Sequence, residues 1–310
     1  MNSSSVLVDW LLDSLELNTS LFHVGRYCGD WHASTHGLAQ ASFHLIVQGE
    51  CWLHIDGDPR PQHLNNGDAV FLLRDFAFRL SGQATAAGAQ ECPRRAMLPL
   101  DSTATDGVGL VCGFFHFQSG LSTLIVDTLP SWIILRAGDP SLMAARNLFE
   151  LILQECARTP APSSALLERL CHLLFLYVLR QQVLDNTELG GLAALGRAPA
   201  FAHLLEQLIA RPAEPWSLES MAACTGLSRS AFFKRFSELC GQSPGQVLLM
   251  IRMRHACGLL KADQTVAEVS LAAGYQSVAA FTRAFRKITG QQPGAYRRDQ
   301  LHSQPATRGQ

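Results

Sequence analysis

Two stretches of this chain close on the same phrase. Residues 238–249 read ELCGQSPGQVLL and residues 287–298 read KITGQQPGAYRR, so Gly241, Gln242, Pro244 and Gly245 recur as Gly290, Gln291, Pro293 and Gly294, each 49 positions later. The phrases end two longer copies, WSLESMAACTGLSRSAFFKRFSELCGQSPGQ and QTVAEVSLAAGYQSVAAFTRAFRKITGQQPGA. In each, Ser217 or Thr265 is placed to cap a short helix. The apolar stripe of that helix is Leu218, Met221 and Ala222 in the first copy, and Val266, Val269 and Ser270 in the second. Gly226 or Gly274 then permits a tight left-handed turn. A second helix starts at Ser228 in the first copy, and at Gln276 or Ser277 in the second. Its inward side is an i, i+4 phenylalanine pair, Phe232 with Phe236 or Phe281 with Phe285. A glycine cap and a proline stop it.

A short helix, a glycine turn and a second helix make a helix-turn-helix. The outward stripe of the second helix follows from the inward one. It is Ser230, Phe233, Lys234 and Ser237 in the first copy, and Ala279, Thr282, Arg283 and Arg286 in the second. Each stripe puts a cation, Lys234 or Arg283, at the same point of a helix that would enter a major groove. Arg229, Arg235 and Lys287 flank it for phosphate contacts, and Ser277 joins the interface at the start of the second copy's helix. Charge supports a polyanionic partner for this part of the chain. Residues 201–300 hold 12 basic and 7 acidic residues, whereas residues 1–200 hold 12 basic and 19 acidic, although the whole chain has a formal net charge of −1. Helix-turn-helix geometry also occurs in bundles that never touch DNA; two copies on a basic segment with aligned cations favour DNA.

Residues 203–298 resemble the tandem helix-turn-helix domain of AraC/XylS-type transcriptional regulators, with the stretch RMRHACGLLKADQTVAEVSLAAGYQSVAAFTRAFRKITGQQPGAYR similar to that family's signature along its length. The resemblance implies seven helices, with 246–261 as the long helix joining the two units. It implies insertion into two successive major-groove segments on one DNA face, about 34 Å apart. It implies double-stranded promoter DNA and RNA polymerase as partners, a role as activator, and a cytoplasmic location. The chain departs from the family pattern at Phe233, where a polar residue is usual, and at Ser270, where alanine is usual.

The first half reads differently. FHLIVQGECWLHIDG (43–57) alternates and breaks at Gly49 and at Asp56-Gly57, a hairpin signal. HLNNGDAVFLLRDFAFRL (63–80) repeats the pattern after a turn at Asn66-Gly67-Asp68, and GVGLVCGFFHFQ (107–118) is a third strand. Residues 82–107 read as an exposed loop. From residue 140 the period becomes helical, and the helices within 141–184 are apolar around much of their circumference, so they need a sheet face or a second subunit as partner. The expected architecture is α+β: a cupin-like sensor and dimerisation domain over 1–184, a linker over 185–200, an all-α DNA-binding domain over 201–300 and a disordered tail over 301–310. The β region resembles the cupin-like sensor domain often fused to such regulators, in its QGECWLHIDG and LNNGDAVFLL segments.

The acidic N-terminal segment lacks the basic start of a secretory signal, and no apolar run approaches the roughly 18–20 residues of a membrane span. The resemblance to cupins raises a metal site: His44 matches one ligand position, but Phe78 stands where a later histidine is expected, and nothing in the spacing brings His54, His63 and His116 together. No metal, cofactor or catalytic residue is expected. A metal-dependent cupin enzyme with an accessory helical domain is the alternative reading. GVGLVCGFFHF also resembles a segment of a cupin-fused AraC subgroup that includes reactive-chlorine-responsive regulators. That likeness makes Cys112 and Cys28 candidate redox sensors, and Cys92 is third because Arg94-Arg95 stand beside it, as Arg26 stands near Cys28; the nine cysteines form no CxxC pair. The signal is then either a small molecule in the barrel or an oxidant.

Overall fold

Asp56-Gly57 turns the chain between two strands that pair antiparallel, and Asn66-Gly67 turns it from one sheet into the other. In the computed structural model the described residues are 3–85, 98, 100, 107–117, 122, 125–127, 129–139, 143–158, 162–185 and 191–303. They divide into two units, one of Leu17–His116 with Pro130–Gln182, the other of Met1–Glu16, Phe117–Leu129 and Val183–Gln310. Among the described residues no helix is long and apolar enough to cross a membrane.

The first unit is built on two sheets. Strands β1 (Leu17–Tyr27), β3 (Ala41–Gln48), β6 (Ala69–Leu72), β8 (Val108–Phe117) and β9 (Trp132–Leu135) form one, in the order β1-β8-β3-β6-β9. Strands β2 (His32–Ala33), β4 (Glu50–Ile55), β5 (Gln62–Asn65) and β7 (Phe78–Ser81) form the other, in the order β2-β7-β4-β5. Side chains alternate across a strand, and both faces of β3 are buried. Ile46, Val70, Leu72 and Cys112 from the first sheet meet Cys51, Leu53, Leu64 and Leu80 from the second in one apolar interior. Phe43 and Phe71 point the other way, with Phe115, towards Phe175; the Phe115 and Phe175 ring centroids are 4.5 Å apart. Phe175 lies on α3 (Ser164–Asp185), which follows α2 (Met143–Cys156). Three layers therefore stack: sheet, sheet, helix. The Asn66-Gly67-Asp68 turn is held from within. The buried Asp68 carboxylate accepts from Asn65 N–H at 3.0 Å, Ala137 N–H at 2.9 Å and Arg136 at 3.0 Å, tying the start of β6 to the end of β9.

The second unit is all helical. It comprises α1 (Ser3–Ser14), α4 (Gly191–Arg197), α5 (Pro199–Ala210), α6 (Leu218–Cys224), α7 (Arg229–Cys240), α8 (Pro244–Lys261), α9 (Val266–Ala272), α10 (Val278–Thr289) and α11 (Pro293–Ser303). From α5 onward there are seven helices, as the family resemblance implies, and the long joining helix begins at Pro244. Both copies of the repeat fold alike. Ser217 and Thr265 cap α6 and α9 through reciprocal capping boxes with Ser220 and Glu268. The turns stand at Gly226 (φ +68°) and Gly274 (φ +78°), and a Cβ on Gly274 would lie 2.8 Å from the Ala213 carbonyl oxygen. Helix α7 starts at the Ser228 cap and α10 at Ser277 rather than Gln276, because the Ser277 hydroxyl accepts from Ala280 N–H. Phe232, Phe236, Phe281 and Phe285 are all fully buried.

Two sequence expectations are revised here. Part of the stretch read as a linker, 185–200, is the helix α4, with Leu192, Ala193 and Leu195 buried; its glycines admit close packing rather than a loose tether, and a Cβ on Gly196 would lie 2.5 Å from Leu7. The N-terminal helix α1, assigned by sequence to the sensor domain, packs against α4 and α5 through Leu7, Val8 and Leu11 and belongs to the helical unit. At the other end α11 continues to Ser303, and the rest of the expected tail lies outside the described residues. Most of the loop expected over 82–107 also lies outside them, although Leu98 bridges to Arg26.

Phe236→Ala and Phe285→Ala should each cost about 3–5 kcal/mol in the helical unit, the usual range for truncating a buried phenylalanine. Phe233→Ala, on the exposed side of α7, should leave stability within about 0.5 kcal/mol. Denaturant unfolding of the three variants checks this ordering.

Candidate nucleic-acid interface and sensor interior

The burial of one side of α7 and α10 fixes what the other side presents. On α7, Arg229, Ser230, Phe233 and Lys234 are exposed, Phe233 to 46 %. On α10, Ala279, Arg283 and Arg286 are exposed, Thr282 is half-buried, and Ser277 spends its hydroxyl on the helix cap. All nine residues singled out in the sequence thus lie on, or at the start of, the second helix of a copy. Their electrostatics differ between the copies. Arg229 pairs with Glu219 at 2.9 Å and Lys234 with Glu238 at 3.9 Å. No ion pair of Arg283, Arg286 or Lys287 occurs among the described residues. Ser237, on the first stripe, is half-buried, and its hydroxyl has no hydrogen-bond partner there.

Helix α8 joins the copies and buries Val247, Met250, Ile251, Met253, Ala256, Cys257 and Leu260. Arg252 on this helix donates to the Pro212 and Glu214 carbonyls at 2.9 and 2.8 Å and sits over the Tyr275 ring, 5.8 Å from its centroid. One guanidinium therefore ties the approach to the first copy to the turn of the second. At the end of α8, Lys261 donates to the Glu16 carboxylate at 2.5 Å, and the Tyr296 hydroxyl of α11 donates to the same oxygen at 2.9 Å. Burial and the neighbouring Cys257 and Glu16 push the Tyr296 phenol well up. No sequence pattern reveals this cluster, because its members are 245 and 280 positions apart from Glu16.

In the sheet unit the candidate residues separate. Cys112 is buried and lies opposite His44 across the β3–β8 pair. Burial, then the nearby Cys51 and Cys171, push the Cys112 thiol well above its usual range; the Cys51 thiol is pushed up to about 12 by burial and by Asp68 and Glu50. A reactive thiol needs the opposite environment, cationic and reachable. Cys28 is half-buried, and Cys92 lies outside the described residues, as do Arg94 and Arg95. Among the described residues no three His, Cys, Asp or Glu side chains come together as metal ligands. His54 pairs with Ser81 and His63 with Glu50, while His116 contacts Ser20.

His44 stands out instead. It is 1 % exposed, its ring centroid is 5.6 Å from that of Phe78, and neither ring nitrogen has a hydrogen-bond partner among the described residues. His23 of β1, which carries no local sequence signal, is also buried, packs near Tyr27 at 5.0 Å between ring centroids, and leaves Nε2 without a hydrogen-bond partner among the described residues. Buried polar nitrogens are nearly always satisfied, so three such ring nitrogens on two histidines are an exception in this interior.

A two-sheet barrel with a covering helix, joined to a tandem helix-turn-helix, is the architecture of a sensor fused to a DNA reader. The cupin family profile matches residues 7–183 and a helix-turn-helix domain profile matches residues 221–299. A putative AraC-like transcription regulator of Streptomyces antibioticus is 30 % identical over 288 residues, covering 91 % of this chain and 93 % of the relative. An uncharacterized HTH-type transcriptional regulator of Haemophilus influenzae is 27 % identical over 280 residues, 88 % of this chain and 92 % of the relative. The RCS-specific HTH-type transcriptional activator RclR of Escherichia coli is 25 % identical over 302 residues, 94 % of this chain and 97 % of the relative. The chain belongs to the AraC-like transcription regulators, with an N-terminal cupin domain and a C-terminal helix-turn-helix domain.

The buried His44 carries a pH signature. Burial, with a smaller contribution from His23, lowers its pKa from 6.5 to about 3. Below about pH 6.5 the unfolded chain takes up a proton there that the folded chain refuses until about pH 3. The stability tied to neutral His44 is therefore complete above about pH 6.5 and is lost as pH falls through that window, by up to about 1.4 kcal/mol per pH unit. His44→Leu should flatten the fall in sheet-unit stability by about one proton, as read from unfolding curves between about pH 6.5 and 4.5.

Proposed function

We propose that this regulator grips promoter DNA with both copies of the repeat and reports the state of its barrel interior to RNA polymerase as a cytoplasmic activator. Arg229, Ser230, Phe233 and Lys234 face one major-groove segment, and Ser277, Ala279, Thr282, Arg283 and Arg286 face the next. The observation that carries this reading is the equivalence of the copies: the same caps, the same buried phenylalanine pairs, and a cation at the same register of an exposed helix face.

The signal in this reading is a small polar molecule held between the sheets at His44 and His23. Their unpartnered ring nitrogens supply donors and acceptors in an otherwise apolar interior, the usual chemistry of a ligand pocket. An oxidant signal is the second reading, favoured by the likeness to the RCS-specific relative and by the half-buried Cys28. Against it stands the deep burial of Cys112. Reporter output under hypochlorous acid separates the two: in the small-molecule reading, Cys28→Ser and Cys112→Ser respond as wild type does, whereas loss of response in either assigns the signal to a thiol.

The protein works as a homodimer in this reading. Helix α3 turns Leu167, Cys171, Leu174, Phe175 and Val178 inward, so Leu174 serves its own core. Leu166 (43 % exposed), Leu173 (45 %) and Tyr177 (40 %) remain outside with the half-buried Leu170, at alternating four- and three-residue steps, the spacing of a helix-pairing seam. Leu173→Glu with Tyr177→Glu should convert a dimer to a folded monomer by light scattering at micromolar concentration; a wild-type monomer contradicts the assignment.

Arg283→Ala and Lys234→Ala should each weaken binding to a specific duplex by about 1–3 kcal/mol, the range for a base-edge contact, with folding unchanged. Affinity of the full-length wild type should fall steeply with salt as phosphate counterions are released. Binding isotherms at two salt concentrations check both; wild-type affinity in both variants would show that these helices do not read the DNA.

A further inference from the structure

The second helices of the two copies match at their buried positions and differ on the face turned outward. Forty-nine residues separate their equivalent positions, whereas the caps of the first helices and the turn glycines stand 48 apart, so Phe233 corresponds to Thr282, Ser237 to Arg286 and Glu238 to Lys287. In the first copy Glu238 sits 3.9 Å from Lys234, and Glu219 takes Arg229 at 2.9 Å. Carboxylates thus accompany two cations of this face, and a carboxylate beside a groove helix repels phosphate. In the second copy Arg283, Arg286 and Lys287 are exposed with no ion pair among the described residues, and the nearby Glu268 carboxylate is engaged by the Thr265 cap. The centre of the first face is instead an aromatic ring, 46 % exposed, one residue from the fully buried Phe232. Burying Phe233 inward is impossible without losing Phe232 and Phe236, so its exposure is imposed by the helix register.

We propose that the two copies read DNA by different chemistry: Phe233 selects thymine in the first segment by apolar contact with its 5-methyl group, while Arg283 and Arg286 read guanine and phosphate in the second. This rests on the DNA-reading function above and deepens it. A phenyl ring offers no hydrogen bond, and the one apolar feature that a base pair presents in the major groove is the thymine methyl. Guanidinium groups match the paired O6 and N7 acceptors of guanine. The first segment is therefore recognised by a desolvated methyl contact with little net charge transfer, and the second supplies most of the salt-dependent affinity.

The test uses the full-length protein and the duplex it selects from a random library. Each thymine is replaced in turn by deoxyuridine, which removes only the methyl group. Wild type should lose about fourfold in affinity at one thymine of the first segment, the equivalent of about 0.8 kcal/mol for one buried methyl. Phe233→Ser, with an unchanged melting curve, should bind the thymine and deoxyuridine duplexes equally. Replacing guanine by 7-deazaguanine in the second segment should lower wild-type affinity severalfold and leave Arg283→Ala unaffected at the paired guanine. Selection of a duplex in which no thymine shows a Phe233-dependent methyl effect overturns the proposal while leaving the DNA-reading function standing. Failure to select any duplex removes both. If Phe233→Ser keeps full DNA affinity but loses reporter output, the ring serves a protein contact instead and the proposal is wrong.

Discussion

The burial of helix α8 is the constraint on which the DNA-reading half depends. Two helix-turn-helix units of this size bury too little surface to stand alone, and each rests its phenylalanine pair against neighbouring helices. An 18-residue helix with nine buried residues gives both copies a common spine. Arg252 adds a further tie by donating to the carbonyls at 212 and 214 and lying over the face of Tyr275. The close approach of Gly274 to Ala213 belongs to the same junction, and a larger residue there would push it apart. Both recognition helices thus pack within one unit against a common spine.

The same spine gathers the chain's N-terminus. Glu16 receives Lys261 from the end of α8 and Tyr296 from α11, and its own amide donates to the Ser122 hydroxyl at 2.9 Å. Glu16 immediately precedes β1, the first strand of the sheet unit. A helix that is covalently continuous with the sensor is thereby a structural part of the DNA-binding unit.

The helical half is legible in the sequence because its signals are local. Caps, turn glycines and phenylalanine pairs lie within a couple of dozen residues of one another and are duplicated, so Ser217, Gly226, Phe232 and their counterparts can be assigned from the residues alone. The strand positions are equally legible from alternation at 43–57 and 63–80. Contacts between distant residues leave no such trace. The glycines of 191–196 look like a tether in sequence, yet Gly196 is small because Leu7 packs against it. His44 looks like the remnant of a metal pair; only the β3–β8 register and the burial of His23 reveal ring nitrogens without partners among the described residues. Cys112 looks reactive by resemblance, and burial gives its thiol the opposite disposition.

In the proposed mode of binding, two recognition helices on one spine read two adjacent segments on one face of the DNA. Inserting about five base pairs, half a helical turn, between the two protected segments of a selected duplex tests it most directly. The insertion should lower the affinity of the full-length protein to that of a duplex keeping one segment alone, because one spine carries both recognition helices. Undiminished affinity after the insertion would contradict it.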